Sequence, residues 1–269
     1  MRREPAEGSP EALRTSTGAP GSALGSRVRR AVAQAGFDTR IMLRNGEQLL
    51  LTMILPAIVL ILLSRLAVPG VQLAPGERWV DLAAPGVLAL AVISISFTGQ
   101  AIGTGFDRRH GVLRMLATTP LGRSGLLTGR MLAVLAGELV QVILLGALAL
   151  ILGWRPTASG IPAAVLLVLL GTAAFVALGL FLAGTLRAEA VLAGANLAWV
   201  LLLAGGGVVA PSNAMGAWGS VARLLPSGAL GDGLRAALIE GRLDLFAVLV
   251  LVVWVTIGAG LTVRFFRWE

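Results

Sequence analysis

Long apolar runs recur along most of this chain, and their spacing sets the architecture. Six runs approach the 20 or so residues that a helix needs to cross a bilayer. They cover about 48–68, 81–103, 126–152, 161–184, 190–210 and 243–263, and the first contains Pro56. Only Thr185 to Glu189 separates the fourth run from the fifth, which forces a tight antiparallel hairpin. The pattern predicts an all-α membrane protein with six transmembrane helices.

The flanks read differently. Residues 1–25 are rich in Gly, Pro, Ser, Ala and Glu, the composition of a disordered tail. No apolar h-region follows closely, so the tail is not read as a signal peptide. Residues 26–46 form an amphipathic pattern. Val28, Ala31, Val32, Ala35, Thr39, Met42 and Leu43 fall on one stripe, with Arg29, Arg30, Gln34, Arg40 and Arg44 opposite. Such a helix lies in the interface plane with its arginines toward headgroups. Phe37 and Ile41 break the polar face and are either stray positions or a contact for a partner. The membrane domain proper is then 47–269.

One charged stretch interrupts the apolar pattern. Asp107, Arg108, Arg109, His110 and Arg114 cluster between the second and third runs. On a helix Asp107, His110 and Arg114 share one face, with Val112, Leu113 and Leu116 opposite. Thr119–Pro120 ends the helix, because a residue before proline is pushed out of the α region. The stretch reads as a short helix in water or at the interface, offered to a soluble partner; the plainer alternative is an ordinary arginine-bearing loop.

The connection from Pro211 to Arg242 is long but not simply polar. Ala217 to Leu225 is predicted as one short helix stopped by Pro226. Leu230 to Glu240 is predicted as a second, with Leu230, Leu234, Ala237 and Leu238 on one face. Such backbone is tolerated at membrane depth only against protein or a water-filled cavity, so this loop is expected to cap a pathway.

Composition excludes several chemistries. The chain is 56% hydrophobic and 13% charged, with mean hydropathy +0.85. All 22 basic residues are arginine, which excludes lysine Schiff-base chemistry. With no cysteine there is no disulfide, thiolate nucleophile or iron–sulfur site. The one histidine, His110, makes no multi-histidine metal site alone. The pI near 11.7 fits arginines that anchor cytosolic loops better than nucleic-acid binding. With the N-terminus inside, sixteen arginines fall on the cytosolic side and six on the other, which places both termini in the cytosol.

Polar residues inside the runs are the remaining leads: Gln100 in the second, Glu138 and Gln141 in the third, and Asn196 in the fifth. An ionisable group within a bilayer is costly and faces protein or water. Glu138 is either a contact for a cationic molecule or partner, or a neutral structural group. Gly205-Gly206-Gly207 marks a hinge or the end of the fifth helix.

Two patches carry a family resemblance. The first is Asp107 to Pro120, where Gly111, Leu113, Leu116, Thr119 and Pro120 match, Asp107 replaces a more usual Glu, and Arg109 stands where an acid is common. The second is Leu224-Leu225-Pro226 with Leu234-Arg235-Ala236-Ala237 and Gly241. With the span pattern, the chain resembles the type-2 ABC exporter membrane subunit, including the daunorubicin-resistance-like permeases of actinobacteria. The resemblance covers about Arg27 to the C-terminus. It implies a multi-pass permease of the bacterial plasma membrane, working as a dimer with itself or a related permease. Two cytosolic ATP-binding subunits would hold the ATP and Mg, so this chain would bind no cofactor and catalyse nothing. It implies coupling to that ATPase through Asp107, Arg108, Arg109, His110, Gly111, Leu113, Arg114, Leu116, Thr119 and Pro120, with Phe37 and Ile41 as a second contact. A substrate pathway past Gln100, Glu138, Gln141 and Asn196 would end at an external gate of Pro226, Leu234 and Arg235. The substrate expected is hydrophobic or amphipathic: a drug, as in multidrug efflux and antibiotic resistance, a lipid, or a lipid-linked product. No Gly-x4-Gly-Lys-Ser/Thr loop is possible without lysine, so the motor is a separate chain. A secondary transporter or channel acting alone is the alternative; no internal repeat or intramembrane charge relay favours it. An intramembrane enzyme and a non-transporting scaffold are weaker readings.

Overall fold

The computed structural model describes residues 46–66, 71, 73, 75–112, 115 and 122–265, with backbone only for 46–52 and 122–128. The described residues are helical and contain no strand. In chain order the helices are α1 (Gly46–Arg65), α2 (Trp79–Arg109), α3 (Gly122–Ile151), α4 (Ile161–Thr185), α5 (Ala188–Gly205), α6 (Gly219–Leu224), α7 (Pro226–Leu238) and α8 (Leu245–Phe265). Among the described residues five, α2, α3, α4, α5 and α8, are long and apolar enough to cross a membrane. In α1 the apolar stretch with described side chains is the shorter Met53–Arg65. The interfacial helix expected at 26–46, with Phe37 and Ile41, lies outside the described residues.

α2 is the hub. Its Trp79–Val92 half is built largely from Ala, Val, Leu and Gly, apolar on every side, which suits a helix surrounded by others. In α2's most apolar stretch 83% of residues are buried inside the chain, against 17% for α5 and 22% for α8. The outer helices therefore turn most of their apolar surface away from the bundle. α1 packs on the first half of α2, and α4 runs against both α2 and α8. The core joins Leu60 of α1, Leu90 and Ile93 of α2, Leu145 of α3, Leu167 and Phe175 of α4, Leu230 and Leu234 of α7 and Leu251 of α8.

α2 does not stop near Gly103. It runs unbroken to Arg109, and Ile93–Gly99 within it is π-helical. A π segment accommodates one extra residue per turn, and its polar groups must be met locally. The Ser94 hydroxyl donates to Leu90 O at 2.8 Å and accepts from Trp199 Nε1 of α5 at 2.9 Å. Phe97 meets Phe175 of α4 edge-on at 6.4 Å. The α4 backbone lies close here: a Cβ on Gly179 would fall 2.8 Å from Phe97 O.

The segment after α5 corrects the sequence reading most. α5 ends at Gly205, and Gly207 takes φ +78°, so the triple glycine terminates the helix. Two 3₁₀ turns, Ser212–Ala214 and Gly216–Trp218, lead into α6. Pro226 stops α6 as expected, since Leu225 before it is extended, and it also starts α7, where its fixed φ suits the first position and its missing N–H costs nothing. α7 is also not amphipathic in use. Every residue from Pro226 to Leu238 except Asp232 is buried: α2, α4 and α8 pack around it, with Gly233 against Leu167 and Ala247, while Gly228 and Gly231 admit the backbone of α6 and of the loop after α5.

Candidate functional site

The bundle has two polar ends. At one, the end of α2 meets the α4–α5 connection; at the other, the α3–α4 connection lies beside the start of α2 and the end of α7. Thr157 N donates to Leu238 O at 2.8 Å there, and Asp81 accepts from the backbone N–H groups of Arg78 and Arg155 at 3.0 and 3.1 Å.

At the first end the charged stretch is arranged differently from the sequence reading. Asp107, Arg108 and Arg109 are the last turn of α2. His110 leaves the helix, and Gly111 at φ +73° breaks it, a conformation that costs a residue with a Cβ. These side chains are also not free. Asp107 pairs with Arg130 of α3, which also donates to the Thr104 hydroxyl. Arg108 donates Nη1 to Gly184 O at 2.8 Å and Nη2 to Leu186 O. Arg109 pairs with Glu189 of α5, both exposed. What projects is the tip beyond: His110, stacked on Phe106 with centroids 6.2 Å apart, and Met115, 64% exposed. Leu113, Arg114, Leu116, Thr119 and Pro120 lie outside the described residues.

Mid-bundle, Glu138 and Gln141 of α3 are buried. The Thr172 hydroxyl of α4 sits 2.6 Å from Glu138 Oε2 and 2.8 Å from Val168 O. Its single hydrogen serves only one of the two. Glu138 Oε1 is buried without a hydrogen-bond partner. Glu138 lines a groove of about 490 Å³ between α3 and α4, otherwise apolar and walled by residues such as Leu88, Val142, Trp154, Val168 and Leu234. Gln100 is half-buried in α2, and Asn196 is exposed on α5, its amide donating to Leu192 O of its own helix at 2.9 Å.

At the second end Arg235 is 5% exposed, at the centre of a polar knot rather than at a surface. It donates to Gly207 O at 2.8 Å, to Val208 O, to Asp232 Oδ1 at 3.3 Å and, at the long distance of 3.5 Å, to Leu82 O. Asp232 also accepts from Ser212 N at 3.2 Å. The guanidinium thus satisfies carbonyls of the non-helical segment that follows α5. Gly86 makes room: a Cβ there would fall 2.3 Å from Val208 O and 2.7 Å from Arg235 Nη2. Pro226 and Leu234 are buried beside this knot. An open cavity of about 420 Å³ lies over Arg235, lined also by Glu77, Asn213 and Glu240. The π segment and the knot were missed from sequence; the run Ser94-Ile95-Ser96-Phe97-Thr98-Gly99 was the available signal for the first.

No curated protein and no solved structure matched in comparisons with known proteins. A family model described as ABC-2 type transporter matches residues 35–239, about three quarters of the chain.

Proposed function

We propose that this chain, which belongs to the ABC-2 type transporter family and so is a permease subunit of an ABC transporter, exports a hydrophobic or amphipathic substrate from the cytosol. In this reading α1 is a sixth span and both termini are cytosolic, in a bacterial plasma membrane. Two permeases, identical or related, assemble with two ATP-binding subunits that hold ATP and Mg. The observation that carries the proposal is α2: one helix reaches from the far end of the bundle to Arg109 and there presents a turn with an exposed tip. A rigid rod with an exposed end is what a soluble motor needs to move membrane helices. ATP-driven closure of the motor subunits displaces the tip, and rigid-body reorientation of the bundle opens the pathway to the other side. The apolar groove beside Glu138 supports a substrate with a large apolar body. The α7 knot, with Pro226, Leu234 and Arg235, stands at the exit. A drug, a lipid or a lipid-linked product fits this chemistry.

The test is purification from the native membrane in mild detergent, with identification of co-eluting proteins, an ATPase assay and substrate flux in proteoliposomes. A soluble ATP-binding subunit in fixed ratio, lost when 107–120 is altered, is the expected result. A homo-oligomer that moves substrate without any ATPase would establish the secondary-transporter or channel reading instead.

A further inference from the structure

Asp107, Arg108 and Arg109 are consecutive, and each is engaged by a different neighbour. Successive residues on a helix are about 100° apart, so three of them fan over about 200° of the α2 surface. Asp107 reaches Arg130 of α3, Arg108 reaches the end of α4, and Arg109 reaches Glu189 in the first turn of α5. The Arg108 contact is the most constrained. Gly184 belongs to the last turn of α4, where carbonyls lack an intrahelical partner and the helix dipole is negative. One planar guanidinium takes Gly184 O with one nitrogen and Leu186 O with the other, a forked grip that lysine cannot copy. Only Leu186 and Arg187 join α4 to α5, so whatever moves Leu186 moves both helices.

We infer that Asp107-Arg108-Arg109 is a transmission joint inside the permease, not the face that meets the motor, and that Arg108 is the positioning residue that links the α4–α5 hairpin to the stroke. The inference rests on the proposed reading that an ATPase drives the segment beyond Gly111. Motion of that segment enters the bundle at the end of α2 and is delivered at once to α3, α4 and α5. The motor contact then falls on the tip around His110 and Met115, which the three charges support from behind.

The test uses the whole transporter purified with its ATPase and reconstituted in proteoliposomes, with transport per ATP hydrolysed as the readout. Arg108→Gln is expected to leave nucleotide hydrolysis near the wild-type rate while transport per ATP falls about tenfold, the size of an ordinary coupling free energy. Arg108→Lys is expected to recover part of the loss, and Arg109→Gln, whose pair is exposed, to lose less than Arg108→Gln. An Arg108→Gln complex that is less thermostable but transports as much per ATP makes Arg108 a helix cap only and overturns the joint. A second measurement does not depend on the variant folding. The chain has no cysteine, so spin labels at Met115→Cys and Arg187→Cys report without background. Their separation is expected to stay constant between nucleotide-free and ATP-trapped states, while that from Met115→Cys to Ser64→Cys, on α1, which the joint does not grip, changes. A shift of the first pair as large as the second also overturns the joint. If the chain purifies with no ATPase at all, the exporter reading and the joint fall together; if the ATPase is present and only these readouts fail, the joint alone is wrong.

Discussion

Arg235 and Arg109 show how differently one side chain counts at two depths. Arg109 and Glu189 are 54% and 65% exposed, so water competes for both charges and the pair contributes little. Arg235 and Asp232 are 6% and 16% exposed, and Arg235 also satisfies backbone carbonyls in a poorly hydrated place. Arg235→Leu leaves Asp232 without its charge partner and those carbonyls without their donor, a loss of about 3–5 kcal/mol for a broken buried pair. The expected result is a large fall in the thermal unfolding midpoint in detergent for Arg235→Leu and none that can be measured for Arg109→Gln. Equal shifts would remove the knot from the account. At Glu138 the change to Gln keeps size and the contact with Thr172. Folded yield is expected to hold while the range of exported compounds changes, read by flux across a panel of neutral and cationic substrates. An unchanged range with a lower yield would make Glu138 purely structural. Sequence reasoning left Glu138 facing protein or water rather than lipid, because an ionisable group in a span has few other options. It could not place Arg235, since the carbonyls that gather around it come from Leu82, Gly207 and Val208, far apart in the chain.

The elements were legible where one helix decides its own fate. The apolar runs gave α3, α4, α5 and α8 to within a few residues at most boundaries, because length and hydropathy alone set a spanning helix. They ended the second span near Gly103 and read the charged stretch as helix outside the bilayer; α2 does run on to Arg109, but Gly111 breaks it, and partners on α3, α4 and α5 hold Asp107 to Arg109. They misjudged α7 because its pattern suggested one apolar face, whereas its many small residues let it be enclosed on all sides. The π segment was invisible to a 3.6-residue period. It is held in part by close approach of α4, so Gly179→Val, which would drive a side chain against Phe97 O, is expected to part α4 from α2. Size-exclusion profiles should shift from a monodisperse peak toward aggregate, whereas the same change at Gly103, with nothing within 4 Å, should be tolerated. A normal profile for Gly179→Val would mean that the contact between the two helices is not needed for folding.

For the whole molecule, the alternation of its two polar ends fixes which connections share a side of the membrane. Met115 and Arg187 lie at one end; Arg155 and Asn213 lie at the other. Single cysteines at these positions, in a chain that has none of its own, are expected to divide into two classes with an impermeant maleimide on intact cells. Arg155→Cys and Asn213→Cys should label; Met115→Cys and Arg187→Cys should label only after lysis. The reverse pattern would invert the arginine-based orientation and place the tip out of reach of any cytosolic motor.

The enclosure of α7 also carries a consequence for how the protein is made. α7 holds Asp232 and Arg235 and could not partition into lipid by itself. Its slot is walled by α2 and α4, which emerge from the ribosome earlier, and by α8, which emerges after it. Complete docking of the segment therefore requires α8 and is expected to follow its insertion. Nascent chains that end before Leu245 would leave this polar segment undocked, an address for membrane quality control rather than for assembly.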